Sequence, residues 1–335
     1  MSKAAELAAL IGSQTALSNR NLIINGAMQV AQRGTSSTGL GSNTSANYVL
    51  DRFLTASSSA GRYTMSQNTV TDLSGFANSL KLACTTADTS IASTEYLLLQ
   101  HRFEGQNLQL LKKGTSDAEP VTLSFYVKGN AAATYTAELY DYDNTRQFSQ
   151  RFNVTTSWNR ISLTYAGDTT GAYNDDEGLS LFFIIWLHAG STYTSGTQNT
   201  AWGAAVDSQR ANSSDTSFFD STSRTFEITG IQLEVGEQAT AFEHRSIGDE
   251  LLRCQRYFTK WTNGSVYYGT RYSSANGFVF LDCPVRMRAY PTVTTSTSQT
   301  STGLDVASYN SQERVGVYMA SIVPYIGVTT ADAEL

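Results

Sequence analysis

The side chains able to carry acid–base or metal chemistry are few and far apart. His101, His188 and His244 are the three histidines of the chain, and none belongs to an H-E-x-x-H run or another close ligand pattern, so the sequence offers no zinc motif. No Gly-x-Ser-x-Gly elbow stands between a strand and a helix, which leaves a serine nucleophile without its setting. Carboxylates cluster at Asp175-Asp176-Glu177 and at Asp141 with Asp143. A glycosidase needs two such groups on opposite sides of one bond, and adjacent acids in a turn do not provide that. They read as solvated loops, with a structural Ca²⁺ site as the alternative because hard oxygen ligands suit that ion. The Asp141-Tyr-Asp143-Asn run lacks the glycine and distal glutamate of an EF-hand loop, and Gly39-Leu-Gly41 precedes no helix that would complete a phosphate cradle. The expectation is a chain that is not an enzyme and needs no cofactor, structural Ca²⁺ being left open.

A second group of residues suits binding. Tyr126, Tyr140, Tyr142, Trp186 and His188 fall on the non-core side of alternating segments, with Glu138 and Lys128 as polar neighbours. Flat rings beside hydrogen-bonding groups match the apolar faces and hydroxyls of a sugar. The competing reading places the same residues under a long loop or at a subunit contact. Near the C-terminus Trp261, Tyr267, Tyr268, Tyr272, Tyr309, Tyr318 and Tyr325 give either a recognition tip, since tyrosine combines rigid area with one polar end, or ordinary packing. In Phe242-Glu243-His244-Arg245-Ser246 the phenylalanine is placed to plug a sandwich, and the charges to pair with Asp51 or Arg52, as a latch or else as a ligand site.

The elements that would position these groups are strands. Val121, Leu123, Phe125 and Val127 alternate with Thr122, Ser124, Tyr126 and Lys128; Leu179, Leu181, Phe183, Ile185 and Leu187 alternate with residues that include Trp186 and His188. That period of two predicts half-buried strands. Similar runs occur at 78–83, 95–103, 134–142, 147–154, 159–165 and 225–235, and counting 21–34 there are enough for a jelly roll of two facing sheets. The stretch 190–224, rich in Ser, Thr, Asn and Gly, predicts a long surface excursion. Residues 3–12 place Ala4, Leu7 and Ile11 on one stripe of a short helix, for attachment or oligomerisation or docked on its own domain. A second helix over 246–258 carries Ile247, Leu251, Cys254 and Phe258, with Ser246 as N-cap. The predicted organisation is an N-terminal helical segment (1–20), a jelly-roll domain (21–245), a linking helix (246–258) and a smaller β-domain (259–335).

Composition agrees with a mainly β class. Hydrophobic residues make up 41% and charged residues only 16%, with 4 prolines. The net charge of −6 is spread without a basic cluster, so a nucleic-acid partner is not expected. The longest apolar run, Leu181 to Leu187, is too short to cross a bilayer, and the start has no signal-peptide core, so synthesis and assembly in a cytoplasm are expected. Three cysteines, an odd number, read as reduced thiols.

Three segments are more specific. Residues 21–34 (NLIINGAMQVAQRG) followed by Asp51-Arg52-Phe53, residues 228–246 (ITGIQLEVGEQATAFEHRS) and residues 250–258 (ELLRCQRYF) resemble a group of bacteriophage virion proteins, often tail-fibre or fibre-like; the MRAYPTVT run at 287–294 also resembles that group. The middle, with SWNRISLTYAGDTTG at 157–171, is similar to the jelly rolls of carbohydrate-binding modules. The resemblance implies a virion location, a homotrimer in contact with other phage proteins, and attachment to a host-surface glycan. A head decoration, head fibre or adaptor with a purely structural role is the alternative it leaves open, and a surface-polysaccharide depolymerase the weaker third.

Overall fold

The computed structural model describes residues 19–42, 46–261, 270–271, 277–297, 311–319 and 327–335. The predicted stripe of Ala4, Leu7 and Ile11 lies outside them. Two compact units divide between Arg245 and Ser246.

The first unit is a β-sandwich of the jelly-roll class. Its strands are β1 (Ser36–Leu40), β2 (Asn47–Tyr48), β3 (Leu54–Ser58), β4 (Arg62–Thr69), β5 (Asn78–Thr86), β6 (Tyr96–Glu104), β7 (Val121–Gly129), β8 (Ala133–Asp141), β9 (Arg146–Val154), β10 (Asn159–Tyr165), β11 (Leu179–Ala189), β12 (Gly203–Ala204) and β13 (Thr225–Val235). They form a six-stranded sheet, β1-β4-β5-β13-β7-β10, and a seven-stranded sheet, β12-β9-β8-β11-β6-β3-β2. The alternation seen in the sequence is what lets the sheets close on each other. Leu123, Phe125 and Val127 of β7 and Leu181, Phe183, Ile185 and Leu187 of β11 enter one buried cluster, in which the Phe125 ring lies 5.1 Å from Phe152 and 6.4 Å from Phe183. Each such side chain contributes about 1.5–3 kcal/mol by leaving water.

In β13 a strict period of two would turn Gln232 and Glu234 inward. Gly230 adopts a left-handed φ of 61°, the pairing to β7 shifts between Thr229 and Gln232, and the bulge resets the parity so that Ile231, Leu233 and Val235 reach the core. A Cβ at Gly230 would come within 2.7 Å of the Phe76 ring, so both conformation and space hold this position to glycine.

Residues 21–34, counted among the strands from sequence, are irregular instead. Side-chain amides replace a ladder here. Asn21 Oδ1 accepts from Ile23 N at 2.9 Å and Leu233 N at 3.1 Å, while Asn25 accepts from Val30 N and donates to Val30 O and Asp51 O. The segment thereby delivers Ile23 and Met28 into the sandwich core. It is held from outside by the 243–245 region: Glu243 accepts from Asn19 N at 2.5 Å and Asn21 N at 2.8 Å, and Arg245 donates to Ile23 O at 3.0 Å and to Asn21 O. Phe242 does not plug the sandwich. It lies outside the six-stranded sheet, 5.1 Å from Phe76 and 4.9 Å from His244.

His101, on β6, is fully buried between Phe53 and Phe103, and its Nε2 accepts from Ile24 N at 3.2 Å. Burial, and next the Arg52 charge, hold its pKa well below the usual 6.5. The unfolded chain takes up a proton near pH 6.5 that the folded ring refuses, so this contribution to stability is whole above pH 6.5 and falls away as the pH drops towards the folded pKa. Urea midpoints are expected to be lower at pH 5 than at pH 7.5, and His101→Gln is expected to remove part of that difference.

The second unit starts with helix α2, since α1 (Ser191–Thr194) belongs to the first. In α2 (Ile247–Gln255) the Ser246 hydroxyl accepts from Asp249 N at 3.2 Å as N-cap. Of the predicted stripe Cys254 is buried, whereas Ile247 is 57% exposed and Phe258 has passed into a strand. Two three-stranded sheets follow, β14 (Phe258–Trp261) with β19 (Gly327–Asp332) and β17 (Thr292–Thr297), and β15 (Thr270–Arg271) with β16 (Gly277–Asp282) and β18 (Arg314–Met319). Leu281, Met287, Val315, Ala331 and Ala333 form their core, with Trp261 packed against it. Tyr267, Tyr268, Tyr272, Tyr309 and Tyr325 lie outside the described residues. Cys84, Cys254 and Cys283 form no disulfide. Among the described residues no helix is long and apolar enough to cross a membrane.

Candidate functional site

The outer face of the seven-stranded sheet gathers most of the aromatic set. Register fixes the rows: Tyr140 of β8 and Arg102 of β6 flank Phe182 of β11, Glu138 and Gln100 flank Ile184, and Thr136 and Leu98 flank Trp186. Residues 190–224 fold back over the last two rows. Ala211 is buried in a small cluster with Leu98, Ile184 and Trp186, against which Tyr193 and Tyr140 pack, and the Tyr193 ring lies 5.0 Å from Trp186. Trp186 and Glu138 are therefore under the excursion, as the loop-covered reading of these residues had it.

One ion pair pins the excursion down. The Glu138 carboxylate, fully buried, accepts from Trp186 Nε1 at 2.7 Å and from Arg210 Nε and Nη2 at 3.0 and 3.1 Å. The Arg210 guanidinium stacks 4.7 Å from the Tyr140 ring and 5.0 Å from Trp186. Burial works against its charge, and the charge and hydrogen bonds of Glu138 outweigh that, so its pKa lies above the ordinary arginine value. Burial raises the Tyr140 hydroxyl as well, with Arg210 opposing.

What stays open is the other end of the face. Tyr142, just beyond β8, is 57% exposed, and its ring meets Phe182 edge-on at 5.9 Å, as does that of Tyr140. Arg102 lies 5.2 Å over Phe182 and donates to Gln100 Oε1 at 3.2 Å. Tyr140, Phe182 and Arg102 are half-buried. The result is a strip of three rings with a guanidinium on it, on a floor made rigid by cross-strand pairing. Phe182 and Arg102 were not singled out from the sequence, although Phe182 shares the parity of Trp186.

Two of the expected members are elsewhere. Tyr126, with Lys128, sits on β7 in the six-stranded sheet, on the opposite side of the sandwich, where Phe76 covers it at 5.3 Å. Two strands of equal alternation cannot be assigned to the same sheet from their patterns alone. His188 leaves the strip because a bulge between Trp186 and His188 breaks the alternation in β11. Its ring instead contacts Phe219 of the main core at 5.1 Å. There it comes near Asp88 and Glu95, and burial lowers its pKa against the pull of those two acids.

The acidic runs divide. Asp175 and Asp176 are exposed, whereas Asp141 is fully buried and binds Lys113 Nζ at 2.6 Å, with Asp168 at 3.2 Å on the same ammonium. Asp143 binds Asn174 through N and Nδ2. Asp141 is thus the buried partner of a lysine and not a solvated loop acid.

No family profile matches this sequence, and no curated protein matches it. Among solved structures the chain is similar to a CBM4 domain, with 11% identity over 63% of this chain and 98% of that one and a TM-score of 0.33. It is similar to the enzymatically active domain of tailspike protein 4 of bacteriophage CBA120, with 11% identity over 64% of this chain but 21% of that one and a TM-score of 0.33. A third is the family 11 carbohydrate-binding module of the cellulosomal cellulase Lic26A-Cel5E of Clostridium thermocellum, at 11% identity, 61% and 98% coverage and a TM-score of 0.29. Likeness at this level assigns neither ligand nor activity.

Proposed function

We propose that this chain is a non-enzymatic bacteriophage virion protein of the fibre-like group, which attaches to a host-surface glycan through the outer face of its seven-stranded sheet. The observation that carries the reading is the half-exposed strip of Tyr140, Phe182 and Tyr142 with Arg102 across it. Rings of this kind take the apolar face of a pyranose while guanidinium and amide groups bind its hydroxyls. Two carboxylates of β8 are already engaged, Glu138 by Arg210 and Trp186 and Asp141 by Lys113. The virion location, the homotrimer and contacts with other phage proteins rest on the segments at 21–34, 228–246 and 250–258. In such an assembly weak sites act together, since linked copies raise the effective concentration of each.

The test is the full chain against an array of bacterial surface polysaccharides. A saccharide should be retained, and Tyr142→Ala should weaken its binding about tenfold, one stacking contact, with an unchanged melting temperature because the ring is largely in solvent. No retained saccharide, or equal binding by the variant, would sink the proposal, and release of reducing ends would replace it with a depolymerase. Antibody against residues 259–335 should label tail fibres in electron micrographs; label on the capsid shell would favour a head decoration.

A further inference from the structure

The bulge that takes His188 off the aromatic strip brings it to a separate cluster of titratable groups. Asp88 and Glu95, both in the connection between β5 and β6, each offer an oxygen, and His188 a ring nitrogen, such that the three atoms lie within 4.8 Å of one another. His188 is 2% exposed. Its Nδ1 is 2.8 Å from Ser217 Oγ, while its Nε2 is buried without a hydrogen-bond partner. That nitrogen faces Glu95 Oε2 at 3.8 Å, too long for a hydrogen bond. It is close to the ~3.4 Å that separates two donors each held about 2.0–2.2 Å from one tetrahedral ion.

The acids are also short of positive charge. Among the described residues no lysine or arginine forms an ion pair with Asp88 or Glu95, whose ion-pair partner is His188 alone. The two carboxylates lie within hydrogen-bonding reach of each other, and their remaining contacts are of the orienting kind: Asp88 accepts from Ser59 Oγ and from the amides of Ala60 and Ser90, Glu95 from the amides of Ala60 and Ala92. Outer-shell donors on carboxylates and a hydroxyl on the far nitrogen of an imidazole are what fixes ligands around a metal.

We propose that Asp88, Glu95 and His188 bind a divalent cation of the Zn²⁺ class, which clips the β5–β6 connection to the end of β11. One imidazole with two carboxylates fits Zn²⁺ better than Ca²⁺, which takes six to eight oxygens. The sequence could not reveal this set: the ligands are 7 and 93 residues apart by their numbers (95 − 88 and 188 − 95), and only the sheet joins them.

The experiment is calorimetric titration of the full chain, stripped with chelator, with ZnCl₂, alongside Co²⁺ absorption in the visible range. One Zn²⁺ per chain, a raised melting temperature and a Co²⁺ band of low-coordinate type are expected. His188→Gln and Glu95→Gln should each weaken binding by about 100-fold or more and lose the band, beyond the 10–100-fold typical of outer-shell changes, while His244→Gln should leave both unchanged. Should His188→Gln fail to fold, the partly exposed Glu95 position decides. Absence of stoichiometric Zn²⁺ binding, binding unaltered in Glu95→Gln, or a site that takes Ca²⁺ and refuses Zn²⁺ would each overturn the assignment.

Discussion

Replacing Lys113 by methionine is expected to destabilise the first unit by about 3–5 kcal/mol, the usual cost of breaking a buried ion pair by removing one partner. The Lys113 side chain is 4% exposed. Its ammonium meets Asp141 and Asp168 and donates to Thr170 O and Gly171 O, each at 2.6 Å. Asp168 would retain Arg146, which binds it at 2.7 and 3.0 Å, but fully buried Asp141 would keep only the amide groups of Asn144. A lower urea midpoint with an unchanged slope is the expected readout. The neighbouring pair of Lys112 with Glu119 lies in solvent, so Lys112→Met serves as the control and should leave the midpoint where it is.

The second large effect is expected at Arg210. Arg210→Met leaves the Glu138 carboxylate buried without its counter-charge, again about 3–5 kcal/mol, and also removes the guanidinium stacked on Tyr140 and Trp186. Because this residue ties the excursion to the sheet, the loss should appear as faster amide exchange in 196–212 as well as in the global midpoint. Arg210→Met combined with Glu138→Met should recover a large part of the loss, since two apolar side chains no longer strand a charge. If the double variant is less stable than the sum of the single ones, the pair is not coupled in the way its geometry indicates.

The strands were legible because alternation is a local property: 121–128, 179–188 and 225–235 each state which side of a strand is apolar. Which sheet a strand joins is not local, and that is why Tyr126 was grouped with Tyr140 although β7 and β8 lie in different sheets. Bulges are the second source of error. At Gly230 a left-handed glycine marks the parity change, and a glycine inside a strand is a signal that sequence can give. At Leu187–His188 there is no such marker, so His188 was placed on the strip and its approach to Asp88 and Glu95 was invisible. The irregular 21–34 segment passed for a strand because its apolar residues are buried like those of a strand while Asn21 and Asn25 replace the ladder. The pairing of the 243–245 charges with Asp51 or Arg52 expected from sequence is not what Glu243 and Arg245 show: they bind the backbone of Asn19, Asn21 and Ile23. Arg210 could not be found at all, since a loop residue declares its partner only when the loop is folded.

The recognition surface can be located directly by adding a saccharide retained by the full chain to isotopically labelled protein and following aromatic and arginine side-chain resonances. Perturbations centred on Tyr140, Tyr142, Phe182 and Arg102, with Tyr126 silent, are the predicted result. Perturbations confined to the six-stranded sheet or to residues 246–335 would contradict the proposal that the outer face of the seven-stranded sheet binds a saccharide.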